Sequence, residues 1–180
     1  PCMNLKDRMI LDEYRKQKQN YVRLGDTAAS LLKDKLGDMK IDIMAVEHRV
    51  KKEESLMKKV ERKSDKYRFL KDITDILGIR VICFFADDVD RIGKEIENLF
   101  TVDWENSVDK RALIHAKSFG YLSVHYVCSL PKGQGYPEEL SEMKFERQVR
   151  TALQHTWAYI EHDMGYKSEF GTPRVAVRQF

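Results

Sequence analysis

Apolar residues at Met9, Ile10, Tyr14, Tyr21, Leu24, Leu31 and Leu32 fall at helical spacings in a stretch rich in helix formers. The pattern predicts one long helix, or two, from about Leu5 to Leu36, ending near Gly37. The period then changes. Ile41 to Val50 alternates and carries β-branched residues, which predicts a strand, and Lys52 to Lys66 returns to helical character with Leu56, Met57 and Val60 as its stripe. The nearly continuous apolar run from Ile76 to Phe85 reads as a central strand covered on both faces, followed by an amphipathic helix from Asp87 to Phe100. Further strands are expected at Thr101 to Val108, Leu122 to Leu130 and Met143 to Val149, with turn chemistry from Pro131 to Pro137 between the last two. Thr151 to Tyr166 reads as a helix on the spacing of Leu153, Trp157, Ile160 and Met164.

Helices set against strands in this order predict an α/β sandwich. At 180 residues the chain has the size of one domain, and its 42% hydrophobic and 34% charged residues suit a soluble globular protein. No apolar run approaches membrane-span length and no signal-peptide segment follows the N-terminus, so a cytoplasmic location and no membrane partner are expected. Cys2, Cys83 and Cys128 are far apart, which points away from a disulfide framework or a thiolate zinc site, and the last two sit in apolar runs as buried residues. The net charge of +3 is unevenly spread: His48 to Arg80 holds eleven Lys or Arg against six Asp or Glu.

The spacing within that basic segment says more than its charge. Arg49 and Lys51 point to one face of a strand, while Ser55, Lys59 and Arg62 fall at i, i+4 and i+7 of the following helix. All five can converge on a polyanion near a helix N-terminus, where free N–H groups favour phosphate; the bland alternative is a solvated helix face. Asp75 stands just before the buried strand, and Glu146 alternates with Gln148 and Arg150 on a later one. Such a polar strand face is either solvated or a site. Two carboxylates facing lysines and arginines are what Mg²⁺-dependent phosphoryl transfer needs, with hard oxygen ligands for the metal and cations for the charge that develops. A third element, from Lys117 to His125, alternates Tyr121, Ser123 and His125 after Gly120, where an exposed Tyr can stack on a base or lie half buried at a sheet edge.

Several familiar signatures are missing. Gly133-Gln134-Gly135 lacks the third glycine of a dinucleotide fingerprint, there is no P-loop, and His155, Glu161 and His162 do not have zinc-protease spacing.

Together the ordered elements resemble the synthetase domain of the RelA/SpoT family, the (p)ppGpp alarmone synthetases. The resemblance spans roughly Arg49 to Lys167. It rests on Arg49-x-Lys51-x-x-x-Ser55-x-x-x-Lys59-x-x-Arg62, on Asp75-Ile76-x-Gly78-x-Arg80, and on Gly120-Tyr121-x-Ser123-x-His125 with Lys117 before it. Glu146-x-Gln148-x-Arg150-Thr151 and Trp157-Ala158-x-x-Glu161-His162-x-x-x-Tyr166-Lys167 complete the set. The resemblance implies a nucleotidyltransferase-like fold of the α/β (α+β) class, a mixed sheet of about five strands flanked by helices, in which residues 41–180 form the synthetase domain behind a helical segment at 1–40. It further implies transfer of the β,γ-pyrophosphate of ATP to the 3′-hydroxyl of GDP or GTP, with Mg²⁺ as cofactor.

By the same resemblance Arg49 and Arg80 flank adenine, and Lys51, Ser55 and Lys59 hold the phosphates of ATP. Asp75 and Glu146 bind the metal, with Glu146 also activating the acceptor hydroxyl. Tyr121 stacks on guanine; Lys117, His125, Gln148 and His155 are acceptor contacts, the last a position where small synthetases often carry an amide or acid. The helical region before Arg49 lacks a His-Asp metal pair, so alarmone hydrolysis is not expected. A homo-oligomer and a chain cut short at its C-terminus are also expected. The alternatives are a toxin-type relative that pyrophosphorylates the 3′ end of tRNA and a catalytically silent nucleotide-binding module.

Overall fold

The computed structural model describes residues 4–63, 65–109 and 124–167. Its first element, α1 (Leu5–Asp38), is a single unbroken helix, opened by the Asn4 side chain accepting from the N–H of Asp7 at 2.8 Å. Its buried positions include Ile10, Leu11, Tyr14, Tyr21, Leu24, Ala28, Leu32 and Leu36, one continuous stripe at three- and four-residue steps. Chain order continues with β1 (Ile43–Val50), α2 (Glu53–Arg62), a 3₁₀ turn (Leu70–Asp72), β2 (Leu77–Cys83), α3 (Ala86–Leu99), β3 (Thr101–Asp109), β4 (Val124–Ser129), α4 (Glu138–Ser141), β5 (Phe145–Thr151) and α5 (Ala152–Lys167).

The strands form one mixed sheet in the order β1-β2-β5-β4-β3, in which β2 and β5 run parallel and the other neighbours antiparallel. This is the expected mixed sheet of five strands flanked by helices. The covered face of the sheet packs on α1 and α3 and carries Leu77, Ile79, Val81, Phe145 and Val149, all essentially buried. Fully burying each such aliphatic or aromatic side chain contributes about 1.5–3 kcal/mol. Phe100, which ends α3, meets Phe145 edge-on with ring centroids 5.2 Å apart.

Three details depart from the sequence pattern. Strand β2 is covered along the whole of one face but only in part on the other, where Ile82 is buried while Gly78 and Arg80 are part-exposed and floor a cavity. The 3₁₀ turn and α4 are too short to leave a periodic signal, and each is held by local bonds: Asp72 accepts from the N–H groups of Arg68 and Phe69, and the Pro137 carbonyl from those of Leu140 and Ser141. Arg147 lies among the apolar residues of the covered face and is fully buried. Cys83 and Cys128 are buried free thiols. Among the described residues no helix is long and apolar enough to cross a membrane.

Candidate active site

Alternation puts Glu47 and Arg49 on one face of β1, and strand pairing carries that face across the sheet. Arg49 lies opposite Gly78 and Gly78 opposite Glu146; Glu47 lies opposite Arg80, Arg80 opposite Gln148, and Gln148 opposite His125. These rows floor a cavity of about 480 Å³ lined by Glu47, His48, Arg49, Lys51, Asp75, Gly78, Ile79, Arg80, Glu146 and Gln148. Gly78 keeps the middle of the floor open. A Cβ there would meet only the Arg49 carbonyl oxygen, at 4.0 Å, so any side chain would stand in the cavity.

One end of the cavity is cationic around a carboxylate. Lys59 Nζ donates to Asp75 Oδ2 at 2.6 Å, and Lys51 Nζ lies 3.2 Å from the same oxygen. Burial acts to raise the pKa of Asp75, but the Lys59 hydrogen bond and the charges of Lys51 and Lys59 outweigh it and hold the carboxyl below its usual range. Asp75 Oδ1 is buried with no hydrogen-bond partner among the described residues, leaving a hard oxygen available.

The second carboxylate stands across the floor. Glu146 Oε1 is hydrogen-bonded to His125 Nδ1, and Gln148 Nε2 lies 3.3 Å from that ring nitrogen. The His125 hydrogen bond lowers the pKa of Glu146 against the opposing effects of burial and of the Asp75 charge. Asp75 acts on Glu146 as a like charge, so the two carboxylates are near enough to interact across the floor. Among the described residues no group of three His, Cys, Asp or Glu side chains can hold a metal. Two carboxylates offer hard oxygens of the kind a divalent cation takes together with water and phosphate oxygens.

Helix α1 braces the cationic end from behind. The Tyr14 hydroxyl donates to the Lys51 carbonyl at 2.6 Å, while the Lys51 N–H donates to the Ile76 carbonyl at 2.7 Å, so the backbone of Lys51 is fixed from both sides. Arg15 forks onto Glu53 in the first turn of α2 at 2.6 and 3.2 Å. Gly25 lets β1 approach closely, since a Cβ there would fall 2.5 Å from His48 Nδ1, and His48 Nε2 sits 3.0 Å from Asp26.

Of the residues singled out from sequence, Arg49, Lys51, Asp75, Arg80, Glu146 and Gln148 line the cavity, Lys59 reaches it through Asp75, and His125 through Glu146. Ser55 is exposed on α2 and is not among the lining residues; neither is Arg62, also exposed, nor His155 on α5, whose buried Nδ1 has no hydrogen-bond partner among the described residues. Lys117 and Tyr121 lie outside the described residues. Sequence reasoning missed Glu47, although its alternation with Arg49 was a usable signal, and the bracing by Tyr14 and Arg15, for which no local signal exists.

A model of the region found in RelA / SpoT proteins matches residues 48–170. The chain belongs to the RelA/SpoT family. The match takes in every lining residue of the cavity except Glu47, which stands just before it. Among relatives, the GTP pyrophosphokinase YjbM of Bacillus subtilis (strain 168) is 36% identical over 132 residues, covering 72% of this chain and 60% of that protein. The crystal structure of small alarmone synthetase 1 from Bacillus subtilis superposes with a TM-score of 0.72 at 28% identity, over 93% of this chain and 86% of that one. The same synthetase bound to its product pppGpp gives a TM-score of 0.71 at 28% identity, over 93% and 87%. The chain spans about 60% of the length of the curated relatives it matches.

Proposed function

We propose that this chain is a GTP/GDP pyrophosphokinase, transferring the β,γ-pyrophosphate of ATP to the 3′-hydroxyl of GDP or GTP and releasing AMP. The observation that carries the reading is one cavity holding two carboxylates, Asp75 between two lysines and Glu146 on His125, in a member of a family that includes a synthetase seen with pppGpp bound. Arg49 and Arg80 receive the donor base, and Lys51 and Lys59 its phosphates, exchanging part of their hold on Asp75 for the incoming negative charge. Mg²⁺, held by Asp75 and Glu146, supplies charge neutralisation at the phosphate oxygens. Glu146 takes the proton of the acceptor hydroxyl as its oxygen attacks the β-phosphorus of ATP and the bond to the α-phosphate oxygen breaks. His125 fixes which Glu146 oxygen faces the site. Lys117, Tyr121, Gln148 and His155 are the remaining proposed acceptor contacts. With no covalent step on the protein, catalysis consists of positioning and charge stabilisation. The enzyme works in the cytoplasm as a homo-oligomer in this reading.

The test is to incubate the chain with ATP and Mg²⁺, adding GDP, GTP or deacylated tRNA in separate reactions, and to follow AMP and the modified acceptor by anion-exchange chromatography. AMP appears with the guanine nucleotides if the reading is right. Release with tRNA alone transfers the activity to an RNA end, and no release with any acceptor rejects the enzyme.

A further inference from the structure

Glu47 is the cavity's third carboxylate and the one that neither the paired lysines nor His125 engages. It stands two residues before Arg49 on the same strand face, and its Oε2 lies 3.8 Å from Arg80 Nη1. With Glu47 54% and Arg80 37% exposed, that ion pair contributes no more than about 1 kcal/mol to the fold. Stability therefore does not account for it. For phosphate binding the carboxylate is a cost, because like charges repel.

Its position resolves the difficulty. Glu47 lies four residues before Lys51, on the order of 13 Å along an extended strand, so it stands at the end of the cavity away from the Lys51, Lys59 and Asp75 cluster. Arg80, opposite Glu47, presents its guanidinium there and Arg49 follows two residues along the strand; guanidinium planes stack on aromatic rings. An ionised carboxylate only accepts hydrogen bonds. Between stacking arginines, it takes a ring edge that offers N–H donors and repels one that offers only acceptors.

We propose that Glu47 determines donor-base specificity, accepting a hydrogen bond from the exocyclic 6-amino group of a purine nucleoside triphosphate while its ion pair with Arg80 orients both side chains. The inference deepens the proposed function, on which it rests for the base lying at this end of the cavity.

The test compares equilibrium binding of ATP and of purine riboside triphosphate, which carries a hydrogen in place of the 6-amino group and has no N–H donor on that edge, to the wild-type chain and to Glu47→Gln in Mg²⁺ without acceptor. The glutamine amide both donates and accepts, so the variant accommodates either base edge. Wild type is expected to favour ATP by roughly tenfold or more, the discrimination of a hydrogen bond to a charged group, and the variant to lose most of that ratio. A ratio that stays the same while both affinities shift together leaves Glu47 as a neutraliser of Arg80 and overturns the proposal. Thermal melts of the two proteins verify that both are folded. Because binding is read without turnover, a chain that makes no AMP but discriminates between the bases refutes the pyrophosphokinase reading and not this one.

Discussion

On the cavity face of β5, Glu146 is hydrogen-bonded to His125 with Gln148 beside it; on the covered face one residue along, Arg147 is fully buried beside the Cys128 thiol and makes no ion pair among the described residues. Arg147 makes do with the ring of Tyr126, whose centroid is 5.0 Å away. Burial pushes its pKa down to about 10, so the guanidinium remains charged at neutral pH in apolar surroundings. The cavity face thus gathers charge and compensates it, whereas the covered face tolerates a charge at a loss. Site charges are worth their desolvation because they are paired and aimed at a ligand. A buried charge without such partners lowers stability.

The largest effect should come from the cavity face. Glu146→Gln preserves shape and hydrogen-bonding capacity but removes the carboxylate proposed as base and metal ligand, and AMP release should fall by about 10²–10⁴-fold with little change in melting temperature. Full activity in this variant would end the catalytic assignment. For Asp75→Asn we expect a loss of at least about 10²-fold, together with a change in acid stability. The folded-state pKa of Asp75 lies below its ordinary value of 3.8, so the stabilisation from its lysines is fully present above that value and is lost as pH falls through the lowered pKa. The variant's melting temperature should accordingly vary less than that of wild type over the same acid range; parallel curves would show that the lysines contribute nothing there.

On the covered face the sign reverses. Arg147→Met should stabilise the protein by about 1–4 kcal/mol, seen as a higher denaturation midpoint, since it replaces a buried charge that has no ion pair among the described residues with an apolar side chain. Lower stability would mean that Arg147 has a compensating partner. The smallest effect is expected for Tyr14→Phe, which deletes the hydroxyl bonded to the Lys51 carbonyl and should cost about 0.5–1.5 kcal/mol. If Tyr14 positions the phosphate-binding lysine as well, KM for ATP should rise a few fold while kcat holds; a pure stability loss with unchanged KM would confine it to the fold.

Most of the elements were legible because their signals are local. The period of α1, the alternation of β1 and the apolar run of β2 are properties of consecutive residues, and so is the turn from Pro131 to Pro137, where Gly133 and Gly135 adopt φ values of 75° and 84°. Arg147 was not legible, because a charged residue in a strand that reads as polar on one face gives no sign of which neighbours will cover it. The placement of Ser55 shows the same limit from the other side. Helical spacing puts it in line with Lys59, but α2 turns it to solvent while Lys59 reaches Asp75.

By itself the sequence determined the elements, the alternation that sets Glu146 and Gln148 apart from Arg147, and the family. Only the tertiary structure decided that β2 and β5 are parallel neighbours, which sets Arg49, Gly78 and Glu146 in one row and brings Asp75 within reach of both Lys51 and Lys59. The physical reason is one of range. Side-chain periodicity is written in neighbouring residues, whereas strand order is chosen by the packing of the whole sheet on α1 and α3, and the electrostatic field at Asp75 and Glu146 exists only once that packing has brought distant segments together.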